Sequence, residues 1–186
     1  MEQIIHNIDE PQVTYAEFGP RLAASLLDGL ILSPLSVGIT YYSLLSAKSY
    51  VLSLVPSLIG IIYKCYMEKE YGATLGKKIM GIQIVGEDLQ SISYKQVLIR
   101  NYYYFIAFII AINSNYILYS MPEMESVTSF MEASQLQSNL PSIIKIISFI
   151  VSALFCIDAL LMLKSDKNQT IHDAVGKTLA VKKSSL

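Results

Sequence analysis

The sequence is poor in charged residues, and this sets its class. Charged side chains make up 16% of the 186 residues, against about 25% in soluble globular domains. Hydrophobic residues make up 53%, and the mean hydropathy is +0.45. This composition excludes an ordinary soluble domain and predicts a membrane protein.

Cysteines and histidines are also few, with two of each. Cys65 and Cys156 fall in or beside apolar segments, so we interpret them as packing residues and expect no disulfide framework. His6 and His172 are too few for a metal cluster, and neither cysteine has ligand spacing. We therefore expect neither a metal nor a cofactor.

Common catalytic motifs are missing. The segment GATLGKK has three residues between its glycines, where a phosphate-binding loop needs four, and Lys78 stands where Ser or Thr should follow. The many serines have no Gly-x-Ser-x-Gly setting. We therefore expect no enzymatic activity and no nucleic acid partner.

Four apolar segments are candidates for crossing a bilayer. We predict spans at about residues 22–45, 50–67, 98–120 and 140–163, within a membrane domain covering residues 19–183. Residues 1–18 are polar and acidic and lack a signal-peptide pattern, so we interpret them as a cytoplasmic tail. The predicted fold class is an all-α membrane protein with four transmembrane helices.

The segment between spans 2 and 3 changes character and predicts a small cytoplasmic β-hairpin. IQIV and LQSIS alternate around a Gly-Glu-Asp turn at residues 86–88. Capping-box patterns at residues 93–96 and 170–173 predict two helix starts, and TLAV in the tail is a candidate strand. LGKKIMGIQIV and VGKTLAV both place Gly-Lys before an apolar strand, which leaves internal duplication and chance likeness both open.

The basic residues predict the orientation. Of the 14 basic residues, only Lys48 and Lys145 fall outside the segments that precede span 1, join spans 2 and 3, or follow span 4. The loop at residues 121–139 is acidic. The positive-inside rule therefore predicts a multi-pass protein of the cell membrane with both termini in the cytoplasm.

Two aspartates lie inside predicted spans, Asp28 in span 1 and Asp158 in span 4. Both lie roughly 10 Å below the predicted cytoplasmic surface at about 1.5 Å per residue. An acid in a span needs a partner or a water-filled path. We expect Asp28 to lie near Arg21, Arg100 or Asp158, in one cluster of charges. The other expected members, at the surface, are Arg21, Arg100, His172 and Asp173.

Two interpretations of this cluster stay open. The charges could be fixed ion pairs that lock the bundle. Alternatively, Asp28, Asp158 or Asp173 binds a cation or a proton, and the charge partners Arg21, Arg100 and His172 tune its pKa.

The motifs follow a fixed order along the chain: Arg21 and Asp28 in span 1, TLGKKIMGIQIV after span 2, Arg100 entering span 3, and IHDAVGKT in the tail. In this order they resemble the RDD family of small bacterial membrane proteins, over about residues 16–182. The arginine and two aspartates that name the family fall on Arg21, Asp28 and Asp173. The resemblance implies monovalent cation/proton antiport, which is reported for some members, as a candidate activity.

Two hypotheses for the function follow. The first is a small secondary transporter or transporter subunit that exchanges a monovalent cation for protons. Four spans rarely enclose a transport pathway alone, so this hypothesis calls for a homo-oligomer or a heteromeric membrane partner within the lipid bilayer. The alternative is a non-transporting membrane scaffold or assembly factor with a structural charge cluster.

Overall fold

Apolar helices make up most of the molecule, and a small sheet lies at one end of them. The computed structural model describes residues 13–186. In chain order the elements are α1 (Phe18–Tyr42), α2 (Tyr50–Tyr71), α3 (Leu75–Ile79), β1 (Ile82–Gly86), α4 (Tyr94–Arg100), α5 (Tyr102–Tyr119), α6 (Phe130–Ser138), α7 (Ser142–Leu161), α8 (Ile171–Val175) and β2 (Thr178–Lys182).

Three helices are long and apolar enough to cross a membrane. They are Phe18–Ala47, which is α1 with the π-helical turn that continues it, α2, and Ser142–Lys164, which is α7 with its final 3-10 turn. The predicted third span is instead a pair, because α4 and α5 meet at Asn101 with a bend of 58°. The structure therefore has three candidate spans, and four if the bent pair is one span.

The predicted hairpin is wrong in its pairing. β1 forms and a turn follows it, but β1 pairs antiparallel with β2, with Ile84 opposite Ala180. The LQSIS segment forms no strand, and Ser93 at its end caps α4 by accepting a hydrogen bond from the backbone of Gln96. The TLAV segment is the strand that the tail was expected to contain.

The chain before α1 joins the same sheet. Tyr15 bridges to Val181, and Ala16 N donates to the Ala180 carbonyl at 2.8 Å. The predicted tail at residues 1–18 falls in part on residues 1–12, which lie outside the described residues. The described remainder, β1 and β2 all meet at one end of the helices, which we call the sheet end.

The opposite end carries an apolar cap built from the loop at residues 121–139. A 3-10 turn (Pro122–Ser126) and α6 bury Met124, Leu136 and their neighbours against Leu44 and Leu45 at the end of α1. Lys48 donates to the Val127 carbonyl and ties the loop to the α1–α2 connection. We call this the cap end.

Candidate functional site

A chain of buried charges crosses the sheet end from α1 to α3. Asp173 in α8 contacts Arg21 of α1, and its Oδ1 lies 2.9 Å from Arg100 Nη2. Arg100 in turn places its Nε 3.2 Å from Glu68 Oε2 at the end of α2, and Glu68 also binds Lys77 of α3 at 2.5 Å. Five elements are therefore joined through two acids. We call the acids Asp173 and Glu68 and their basic partners Arg21, Arg100 and Lys77 the charge network.

Arg100 is the centre of this network. Its side chain is 1% exposed, and its Nη1 donates to Thr178 Oγ1 at 2.8 Å at the start of β2. α4 ends at Arg100, and the chain bends at Asn101 into α5. A buried guanidinium needs paired acceptors on several sides, and α2, α8 and β2 supply them.

Asp173 is held ionised by the two arginines. Its side chain is fully buried, and it completes a capping box with Thr170 at the start of α8. Burial by itself raises the pKa of Asp173, but Arg100 and then Arg21 outweigh it and hold this pKa well below the usual range. Asp173 therefore stays charged throughout the physiological pH range.

Glu68 and Lys77 were missed by the sequence reasoning. Glu68 stands in the charged run MEKEY, directly after the predicted span at residues 50–67, yet its side chain is fully buried. Asn101 Nδ2 donates to its Oε2 at 2.9 Å. Burial lowers the pKa of Lys77 to about 8, against the opposing attraction of Glu68. The signal available in the sequence was Lys64, which lies four residues before Glu68 and therefore on the same face of the helix.

Asp158 forms a second site with His172. Asp158 is 1% exposed, and His172 Nδ1 donates to its carboxylate, which also accepts the backbone N–H of Ile171. The other ring nitrogen, Nε2, lies 3.7 Å from Asp173 Oδ1. His172 therefore sits between an acid of α7 and an acid of the charge network, and its own side chain remains 17% exposed.

The pKa of His172 is set by these surroundings. Burial lowers it from 6.5, and the nearby carboxylates of Asp158 and Asp173 only partly oppose the shift. The imidazole is therefore neutral at pH 7. Tyr103 of α5 packs edge-on against it, with ring centroids 6.5 Å apart.

The prediction that Asp28 lies beside Arg21, Arg100 or Asp158 is wrong, because Asp28 pairs with none of them. It forms no ion pair with an arginine or lysine of the described chain. Its Oδ1 instead accepts the Tyr63 hydroxyl at 2.7 Å and the Gly76 N–H at 2.8 Å. α3 can come this close only because residue 76 is glycine, since a Cβ there would lie 2.0 Å from the Ala24 carbonyl oxygen. Asp28 therefore anchors α3 to α1.

The structure divides the six predicted charges into three groups. Arg21, Arg100 and Asp173 belong to the charge network, Asp158 and His172 form the pair beside it, and Asp28 lies apart on neutral donors. In residues 13–186 no three His, Cys, Asp or Glu side chains are grouped as metal ligands. The arrangement offers fixed charges and one histidine that can gain or lose a proton.

The order of these motifs has a counterpart among known families. The family model described as RDD family matches residues 15–177, which is most of the chain. The chain belongs to the RDD family. A search of curated proteins and of solved structures finds no significant match. In this RDD family member, Arg21 and Asp173, two of the three residues that the resemblance links to the family name, contact each other directly.

Proposed function

We propose that this RDD family protein crosses the cell membrane four times, with both termini in the cytoplasm. The first support is the sheet, which holds the chain before α1, the segment after α2 and the segment after α7 at one end. The second is the bent pair. Tyr94 at its start bonds Glu70 near the sheet end, and Tyr119 at its end bonds Ser43 near the cap end. The excess of basic residues at the sheet end favours the cytoplasmic side.

We further propose that the protein exchanges protons for a monovalent cation, as a transporter or a transporter subunit. The observation that carries this proposal is His172, placed between Asp158 of a membrane helix and Asp173 of the charge network. A partly exposed imidazole that is neutral at pH 7 can take a proton from the aqueous end and pass it toward an acid inside the bundle. Arg21 and Arg100 keep Asp173 charged, and this negative charge stabilises the imidazolium that forms on His172.

The proposal changes the roles of the predicted residues. His172 becomes the proton carrier and Asp158 its acceptor, while Asp173 is a fixed charge. Asp28 is held by two neutral donors, which suits a structural acid better than an ion site. Four spans rarely enclose a transport pathway alone, so the proposal includes a second copy or a different membrane partner. It assigns the chain no enzymatic reaction.

Reconstitution tests this proposal. Purified protein in liposomes should produce proton flux when a sodium or potassium gradient is applied, read by a pH-sensitive dye inside the vesicles. Asp158→Asn should abolish the flux, and the control Asp166→Asn, at an exposed position of the tail, should retain it. Folded wild-type protein without any cation-dependent flux would overturn the transport proposal.

The pH profile gives an independent measurement. Burial lowers the pKa of His172 from 6.5. The imidazole therefore takes up a proton at pH values below 6.5. We expect the wild-type flux to change as the pH drops below 6.5 and His172→Gln to remove this change. An identical profile in the variant would show that His172 carries no proton.

The second candidate function is a non-transporting scaffold or assembly factor. It is favoured by the way both embedded aspartates bind the first turn of a short helix, Asp28 at Gly76 of α3 and Asp158 at Ile171 of α8. Such acids hold the sheet end together without any ion. Absence of flux in the liposome experiment, with a folded wild type, is the result that this function predicts.

A further inference from the structure

A cavity of about 280 Å³ lies at the cap end, away from the charge network. α1, α2 and α5 form its walls, and α6 covers it. Its volume is near the lower limit of small-molecule sites, which measure about 300–1,000 Å³. The cavity is therefore large for a bare ion and suitable for a small organic group.

The walls supply hydrogen-bonding groups without charge. None of the cavity's lining residues is acidic or basic, and besides Tyr119 six carry a hydroxyl or a side-chain amide: Thr40, Ser53, Ser57, Asn115, Ser134 and Gln137. Ser53 donates to the Tyr50 carbonyl at 2.6 Å. The other five make no side-chain hydrogen bond within the described residues. These groups are free to bind a ligand from several directions.

Apolar and aromatic side chains add to this chemistry. Pro56 lines the cavity within α2. Tyr119 and Phe130 also line the cavity. Aromatic rings beside hydroxyl and amide groups match a polyhydroxyl compound, whose C–H face packs on a ring while its hydroxyls bond the polar wall.

We propose that the cap-end cavity binds a neutral polyhydroxyl group of monosaccharide size. The lack of charge in the walls disfavours ions, since an ion leaving water needs a counter-charge or many oriented ligands. The group can belong to a free sugar or to the headgroup of a lipid that enters from the outer leaflet. This site does not depend on proton exchange at the sheet end.

Asn115 offers a matched pair of variants for the test. Asn113, two residues earlier in α5, is exposed, bonds the Ile109 carbonyl at 2.8 Å and does not line the cavity. Asn115→Leu removes an amide from the cavity wall and Asn113→Leu removes one outside it, with the same change in apolarity. Ser134→Leu narrows the cavity from α6 and serves where Asn115→Leu fails to fold.

Saturation-transfer NMR measures binding to the full chain in phosphatidylcholine nanodiscs. The probes are methyl glucoside in solution and, separately, a glucosyl-diacylglycerol included in the nanodisc. We expect wild-type protein to bind at least one probe and Asn115→Leu to bind it about tenfold more weakly, the loss typical of one or two hydrogen bonds. Asn113→Leu should bind like the wild type.

The outcomes separate the sources of the ligand. Binding of methyl glucoside identifies a free sugar site, and binding of the glycolipid alone identifies a headgroup site. Binding of neither probe, which would leave the cavity to water, overturns the proposal. Equal weakening in Asn113→Leu and Asn115→Leu also overturns it, because the effect would then not come from the cavity.

Discussion

At the scale of single residues, the role of a carboxylate in this protein depends on the groups that bind it rather than on its depth in the helix bundle. Asp28 and Asp173 both carry a carboxylate at the sheet end, but Asp28 accepts from a tyrosine and a backbone N–H, whereas Asp173 lies between two arginines. Asp173 is thereby fixed as an anion. Neutral donors leave Asp28 as a link between two helices.

Arg21 provides a prediction at this scale. Its side chain is 11% exposed, and it pairs with the fully buried Asp173. We expect Arg21→Ala to lower the free energy of unfolding by up to about 3 kcal/mol, since Asp173 keeps Arg100 as a partner but loses half of its counter-charge. Thermal unfolding in detergent measures the loss.

Lys183 is the control for Arg21, because it is an exposed basic residue at the same end of the molecule. Lys183→Ala should change the stability by no more than about 0.5 kcal/mol. Equal melting temperatures for the two variants would contradict the importance of the Arg21–Asp173 pair.

The Arg21 and Asp28 positions show how far sequence reasoning reached at this scale. Their place in span 1 identified α1 as a carrier of embedded charge. It could not show that α3 would approach at the level of Asp28 and α8 at the level of Arg21. Both partners lie far away in the sequence, and only packing selects them.

At the scale of elements, the two Gly-Lys segments lie at opposite ends of short helices, and both helices lead into the sheet. Leu75-Gly76-Lys77 belongs to α3 and leads into β1, and Val175-Gly176-Lys177 ends α8 and leads into β2. Both glycines lie close to another element. Gly76 lies against α1, and a Cβ added at Gly176 would lie 2.9 Å from the Cβ of Arg100. The likeness between the two Gly-Lys segments is therefore local, because the two glycines occupy different positions in their helices.

The packing of α3 on α1 gives a prediction for these elements. In Gly76→Ala the new Cβ would lie 2.0 Å from the Ala24 carbonyl oxygen, so α3 must move away and the bond from Gly76 N–H to Asp28 is lost. We expect a loss of about 1–3 kcal/mol in the free energy of unfolding, as for other overpacked sites. Chemical denaturation followed by circular dichroism measures it.

Gly60 in α2 is the matched control, since nothing lies within 4 Å of a Cβ placed there. Gly60→Ala should leave the stability unchanged or raise it slightly, because alanine favours the helix. A loss in Gly60→Ala as large as that in Gly76→Ala would show that the helix, and not the approach to α1, is responsible.

At the scale of the whole molecule, the sheet joins parts of the chain that lie up to 167 positions apart, from Tyr15 to Lys182. The charge network and the Asp158–His172 pair lie at the same end. The apolar cap and the uncharged cavity lie at the other. The two ends of the molecule therefore differ in chemistry, as the two sides of a membrane do.

Cysteine labelling tests the proposed orientation. In a variant with Cys65 and Cys156 replaced by alanine, we expect Glu123→Cys at the cap end to react with a membrane-impermeant thiol reagent on intact cells. Lys183→Cys at the sheet end should react only after the cells are opened. Both positions are exposed, so the difference reports the side of the membrane. The reverse pattern would contradict the cytoplasmic assignment of the termini.

The sequence by itself determined what local chemistry can determine. Low charge and long apolar runs indicated the membrane helices, and the capping patterns at Ser93 and Thr170 marked true helix starts. These signals depend on residues within a few positions of each other. Only the tertiary structure decided that β1 pairs with β2 rather than with LQSIS, and that Glu68 and Lys77 belong to the charge network. Such contacts join distant segments, and their free energy depends on which surfaces packing brings together.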